Sequence, residues 1–329
     1  MAMITSKRLV LGLGLALTAV SGGTAAHAQA YPSRTITVII PFAGGSASDV
    51  VTRIMLDRMA KTLGQPFIVD NRPGAGGNTG TLAAVRTAPD GYTLVMSTVG
   101  PLAANRTLFK SLGYDPEKDF SPISLFAILP NVIVINPKLP PKTLTEFVAY
   151  AKAHPRELNY GTVGVGSSQH LAAAYFEQVA GIELTHVPYR NIAQYTPDFI
   201  SGQVPLGFQF LPNVTGMLQS GDARALAVTT PKRMTALPDV PTAAEAGVKD
   251  YETFGWLALL GPQGMPKPIV EQLYKALEEA INDPAVRGRF VEQGAEAVSP
   301  GPEDLQKFIV AETAKWRDII EKAGIQLIQ

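Results

Sequence analysis

The chain has 329 residues, 28 basic and 28 acidic side chains, 46% hydrophobic residues and no cysteine. Without cysteine there are no disulfides, no thiol catalysis and no lipid attachment at a cleavage-site cysteine. The balanced charge, with no Lys/Arg stripe or basic tail, argues against nucleic acid or an anionic membrane as partner.

Residues 1–30 read as an export signal. Lys7 and Arg8 form a short basic start, residues 9–20 an apolar run too short for a stable membrane span, and Ala26-His27-Ala28 and Ala28-Gln29-Ala30 are both A-x-A cleavage sites. The expected product is a freely soluble periplasmic protein, cut near Ala28 or Ala30, with no direct membrane insertion. Losing Lys7 and Arg8 leaves 26 basic against 28 acidic side chains. The roughly 300 residues that remain suit about two domains.

From there, short β-branched runs alternate with helical patterns. Strands are expected at 36–40, 67–69, 93–96, 132–135, 184–187, 204–208 and 225–228. Helices are expected at 48–63, 77–86, 144–153, 167–180 and 194–201. Such alternation with short links predicts α/β architecture with parallel sheets. Two further stripes, Ile269 to Ile281 and Leu305 to Ile320, predict C-terminal helices with no strand between them, packed on a sheet already built. Pro130, the 137–141 proline cluster and the stretch 248–254 mark two crossings between lobes, and paired crossings of this kind make a hinge beside a ligand cleft.

Two loops carry most of the functional information. Pro41-Phe42-Ala43-Gly44-Gly45-Ser46-Ala47-Ser48-Asp49 joins the first strand to the first helix, and Gly164-Val165-Gly166-Ser167-Ser168-Gln169-His170 does the same later. Glycine-rich turns that open helices aim free N–H groups and hydroxyls at one point, which suits a small anion. Asp49 is acidic where a bound anion wants no carboxylate. It is expected either to cap its own helix or to hold the loop in shape.

Other chemistries fit poorly. Gly74-Ala75-Gly76-Gly77-Asn78-Thr79-Gly80 has its third glycine one place late for a dinucleotide loop and lacks the acidic ribose clamp, so no nucleotide cofactor is expected and a tight turn is preferred. Ser167, Ser168 and His170 invite a serine-hydrolase reading, but G-x-S-x-G is absent and no acid is placed to orient His170. His154, His170 and His186 show no metal-ligand spacing, so no metal is expected.

Longer motifs point to a family. Tyr31-Pro32, Pro41-Phe42 with Asp49-Val50-Val51-Thr52-Arg53, Asp70-Asn71-Arg72-Pro73 running into Gly74–Gly80, and Pro89-Asp90-Gly91-Tyr92 resemble the Bug family, the solute-binding receptors of tripartite tricarboxylate transporters. So do Asn159-Tyr160-Gly161, Val187-Pro188-Tyr189-Arg190 and Leu237-Pro238-Asp239-Val240-Pro241-Thr242.

The resemblance implies a two-lobed periplasmic binding protein fold of type II character, each lobe a mixed, mainly parallel sheet flanked by helices, with two crossover strands as hinge. Lobe 1 would be 31–130 plus 254–329 and lobe 2 would be 131–253. It implies a monomeric, non-enzymatic receptor that closes on a small organic carboxylate and delivers it to membrane permease subunits. The implied ligand-binding residues are Phe42, Ala43, Gly45, Ser46, Ser48, Asp49 and Ser97 from lobe 1. Lobe 2 would add Gly164, Gly166, Ser167, Ser168, Tyr189, Asn191 and Phe208.

The chain departs from the family pattern at Ser46 and Asn191, where glycine is usual, at Gln194, where proline is common, and at Pro205. Asn191, Gln194, Tyr195 and Gln209 with Phe208 and Phe210 suggest an aromatic mono- or dicarboxylate. A ligand-sensing module for a signalling partner, or an exported serine hydrolase, are the alternatives.

Overall fold

The computed structural model describes residues 31–322, and the export-signal reading lies outside them. In chain order the elements are β1 (Ile36–Ile40), α1 (Ala47–Leu63), β2 (Phe67–Asn71), α2 (Asn78–Val85), β3 (Thr93–Thr98), α3 (Asn105–Leu108) and β4 (Phe120–Ile135). Then come α4 (Leu144–Ala153), β5 (Asn159–Thr162), α5 (Ser168–Ala180), β6 (Thr185–Pro188), α6 (Ile192–Ser201), β7 (Leu206–Phe210), α7 (Leu211–Ser220) and β8 (Arg224–Val228). The chain ends with β9 (Phe254–Pro262), α8 (Lys267–Asn282), α9 (Pro284–Glu292), β10 (Glu296–Ala297) and α10 (Pro302–Lys322).

Helix boundaries follow local chemistry. Ser46, Ser167 and Asn191 sit in extended backbone and cap α1, α5 and α6 by accepting from the amide three residues on. Gly64, Gly181, Gly202 and Gly221 close α1, α5, α6 and α7 in the left-handed conformation, where a side chain would be strained.

The strands form one curled, mixed sheet in the order β2-β1-β3-β9-β4-β7-β5-β6. β2, β1 and β3 are parallel to one another, as are β7, β5 and β6. Between these two groups everything runs antiparallel through β4 and β9. The first part of β4, Phe120 to Pro130, pairs with β9, and the last part, Asn131 to Ile135, pairs with β7 and β8. One strand therefore belongs to both regions.

Side-chain alternation along β4 separates two cores. Ile133 and Ile135 join Phe147, Phe176 and Phe208, whereas Val132 and Val134 join Tyr195, Phe199 and Val214 on the other face. A third cluster, around Trp256 and Trp316, takes the apolar stripe of α10 and also Leu171 of α5. Two expectations change here. The front half of β4 and all of β9 are strand, although Pro122, Pro130, Gly255 and Gly261 punctuate them, because each supplies the other's hydrogen-bonding edge. The C-terminal helices are also not free of strand, since β10 pairs with β4 between α9 and α10.

Candidate functional site

The loop from β1 to α1 is built on five residues. Gly45 adopts φ +78°, Ser46 caps α1 by accepting from the Asp49 amide at 3.4 Å, and the Asp49 carboxylate accepts from the Gly45 amide at 2.9 Å. The same carboxylate accepts from Arg53 Nε at 3.0 Å and Asn71 Nδ2 at 2.9 Å. Burial draws the Asp49 pKa upward, but the bonds from Arg53, Asn71 and Gly45, with the Arg53 charge, outweigh it and hold the group below 3.8. The Asp49 carboxylate thus holds the loop in shape.

The loop from β5 to α5 repeats the device. Gly166 has φ +78°, Ser167 accepts from the His170 amide at 3.4 Å, and His170 Nδ1 accepts from the Gly166 amide at 3.3 Å. Burial pushes the His170 pKa down to about 4, so the imidazole is neutral and able to accept. His186 lies beside it, ring centroids 4.4 Å apart and planes tilted by 41°, and meets Thr162 Oγ1 at 2.7 Å. Its pKa is lowered to about 3 by burial and by His170.

The second loop lies directly against the first sheet region. A Cβ on Gly76 would fall 2.1 Å from the Val165 carbonyl oxygen, and one on Gly100 would fall 2.0 Å from that of Gly166. Only glycine permits backbone to approach this closely. Ala47 N donates to Asn213 Oδ1 at 3.2 Å, and the Thr98 and Ser168 hydroxyls are 3.5 Å apart, so polar contacts also join the regions.

These contacts enclose a cavity of about 240 Å³. Its walls are the N-terminal turns of four helices: Ser46, Ala47 and Ser48 of α1, Ser168 and Gln169 of α5, Asn191, Ile192 and Ala193 of α6, and Phe210 with Asn213 of α7. Phe42, Ala43, Pro73, Gly74, Gly77 and Thr98 close the first side, and Val163 and Arg190 the second. No described residue accepts from the backbone amides of Ser48, Ser168, Gln169, Ile192 or Ala193. Among the described residues no carboxylate lines the cavity, and Arg190 is its one charged side chain. Several helix ends with unsatisfied donors and no opposing acid make a positive enclosure for an anion.

Of the residues expected from sequence, Phe42, Ala43, Ser46, Ser48, Ser168 and Asn191 line this cavity together. The others lie behind it. Gly45, Asp49, Gly166 and Ser167 shape the two loops, and Gly164 packs against Gly76. Ser97 is buried against Thr81 at 2.9 Å, Tyr189 donates to Asp198 at 2.6 Å, and Phe208 sits in the core between Tyr160 and Phe176. Tyr195 is core as well, and Gln209 donates to the Gly161 carbonyl oxygen. Gln194 Oε1 accepts from the Arg190 amide at 3.3 Å.

Sequence reading missed Thr98, Gln169, Arg190 and Asn213. Gln169 and Asn213 could have been found, since both stand at the strand-to-helix junction that singled out the two loops.

A two-region sheet with its cavity walled by helix N-termini defines a periplasmic binding protein fold, and solved structures agree. The chain is similar to Rpa4515 of R. palustris, solved with adipate, at 36% identity and TM-score 0.87, covering 91% of this chain and all of that one. It is similar to the periplasmic binding protein BugD at 33% identity and TM-score 0.85, again over 91% and 100%. MatC of Rhodopseudomonas palustris, with bound malate, matches at 34% identity and TM-score 0.83 over 88% and 100%. Residues 51–325 match the family described as the tripartite tricarboxylate transporter family receptor, and the chain belongs to that family. Among the described residues no helix is long and apolar enough to cross a membrane.

Proposed function

We propose that this protein is a periplasmic receptor that captures a small organic carboxylate in the cavity and hands it, unchanged, to the membrane permease subunits of a tripartite transporter. The observation that carries the reading is the convergence of four helix N-termini, several with unengaged amides, on a cavity that no described carboxylate lines. A carboxylate there trades water for preorganised N–H donors and hydroxyls without a buried counter-charge. The adipate and malate of the two R. palustris proteins are ligands of the same chemistry.

Of the described residues, 31–130 with 254–322 form one lobe and 131–253 the other. They hinge where β4 changes partners at Pro130 and Asn131 and where Thr253 N bonds the Thr229 carbonyl oxygen. Cleavage near Ala28 or Ala30 releases the mature receptor. Binding without turnover is supported by the engagement of Ser167 and His170 in the helix cap, with neutral His186 rather than an acid beside His170. Phe42 and Phe210 supply the flat apolar wall for the ligand's carbon skeleton.

The test is a thermal-shift and calorimetric screen of the exported protein against small carboxylates, with amines and neutral sugars as controls. A carboxylate at 100 times its Kd is expected to add about 2.7 kcal/mol and raise the midpoint by several degrees. Stabilisation by amines or sugars, with none by carboxylates, would overturn the reading.

A further inference from the structure

Arg190 stands out among the cavity residues. It is exposed, it immediately precedes the α6 cap Asn191, and its only described hydrogen bond is through the backbone, to Gln194 Oε1. The other arginines near this site are engaged: Arg53 by Asp49 and Asn71, and Arg72 by Asp70. A cation at a helix N-terminus is also electrostatically misplaced, because the helix presents partial positive charge there. Among the described residues no carboxylate pairs with its guanidinium, but a second negative charge on the ligand would.

The cavity has room for such a ligand. At about 240 Å³ it exceeds what one carboxylate group fills, amounting to roughly eight water-sized volumes. The helix N-termini can neutralise one carboxylate without any formal charge, which leaves the guanidinium as a surplus positive charge on the same cavity. Its planar fork of donors matches a carboxylate in bidentate geometry.

We infer that Arg190 receives the second carboxylate of the ligand, so that the receptor selects dicarboxylates over monocarboxylates of the same skeleton. This rests on the reading of the cavity as a carboxylate site. The partner is defined by its chemistry: two carboxylates separated by a short aliphatic chain or one ring, the first on the helix amides and the second at the cavity mouth on Arg190.

Calorimetry with matched pairs of acids tests it, using adipate against hexanoate and terephthalate against benzoate on the wild-type protein, Arg190→Gln and Arg190→Lys. The wild type is expected to bind at least one diacid about tenfold or more tightly than its monoacid, the scale of one charge-assisted contact. Arg190→Gln should lower that diacid's affinity about tenfold and leave the monoacid within about twofold, flattening the preference. Arg190→Lys should keep much of the preference, because the charge remains. The ligand-free melting midpoint of Arg190→Gln should be unchanged or slightly raised, which separates the effect from loss of folding.

Carboxylate binding with no diacid preference, or an Arg190→Gln variant that loses diacid and monoacid equally, would overturn the inference while leaving the carboxylate site standing. A folded wild-type protein that binds none of the four acids would remove the carboxylate reading and this inference together.

Discussion

The two cavity loops solve one problem with different chemistry. Gly45-Ser46-Ala47-Ser48-Asp49 and Gly166-Ser167-Ser168-Gln169-His170 share a left-handed glycine, a serine cap and a side chain three residues on that accepts from the glycine amide. In the first loop the acceptor is a carboxylate kept ionised by Arg53 and Asn71. In the second it is an imidazole kept neutral by burial. A charged acceptor needs charged and polar neighbours, whereas a neutral one tolerates the apolar contact by which α5 joins both regions of the sheet. The backbone geometry is the shared requirement, and the burial of each loop selects the side chain.

The comparison is sharpest at the glycines. Gly45 and Gly166 have the same φ, yet a Cβ on Gly45 meets nothing within 4 Å, whereas one on Gly166 would lie 2.3 Å from Asn105 Oδ1 across the interface. Gly45→Ala is expected to cost about 1 kcal/mol, the left-handed penalty alone. Gly166→Ala should cost about 3 kcal/mol, because overpacking adds to it, and should weaken ligand binding by holding the regions apart. Urea midpoints and calorimetry on both variants check this, and equal losses would mean the interface does not constrain the second loop.

Acid should separate the loops next. His170 has a folded pKa of about 4 and His186 of about 3, both below the unfolded 6.5. The unfolded chain therefore binds more protons as pH falls below 6.5, and stability drops until the folded pKa values are reached. The slope should approach about 1 kcal/mol per pH unit for each histidine. Asp49, held below 3.8, gives up its contribution only in more acid solution. Glu177 has the opposite sign: burial raises it to about 7, so its contribution is present below 4.5 and lost as pH rises through 7. Denaturation midpoints from pH 7 to 4 on the wild type and His170→Asn check the assignment, since the variant should lose part of the acid slope. An unchanged slope would exclude His170 as its source.

The smallest effects distinguish the serines. Ser46→Ala and Ser167→Ala should each cost about 1 kcal/mol in stability through the lost cap, with Ser167 the larger because its hydroxyl is fully buried. Ser168→Ala, one residue on, should leave the midpoint nearly unchanged and weaken ligand binding. A Ser167→Ala variant of full stability but reduced affinity would reverse the two roles.

Much of this was legible locally. The two Gly-Ser turns are read from the sequence; the Asn191 cap and the glycine stops of α1, α5 and α6, which are not, depend equally on residues within five of one another. The family motifs were equally readable, because loops that hold a fixed shape restrict their residues. What the chain's own order could not assign was which side of each loop faces a ligand. Phe208 is buried among Tyr160 and Phe176, while Phe210, the last residue of β7 and paired with Asn131, lines the cavity. Asp49 and Ser167, ligand contacts by the family resemblance, bond within their own loops, the supporting role that the position of Asp49 at its helix start also suggested. The pairing of β4 with β9, residues more than a hundred positions apart, and the meeting of Gly76 and Gly100 with the second loop exist only once the chain has closed on itself. Local hydrogen bonds and side-chain alternation are properties of a segment, so the amino-acid order determines them. Exposure to a shared cavity is a property of two surfaces brought together, and only the tertiary structure decides it.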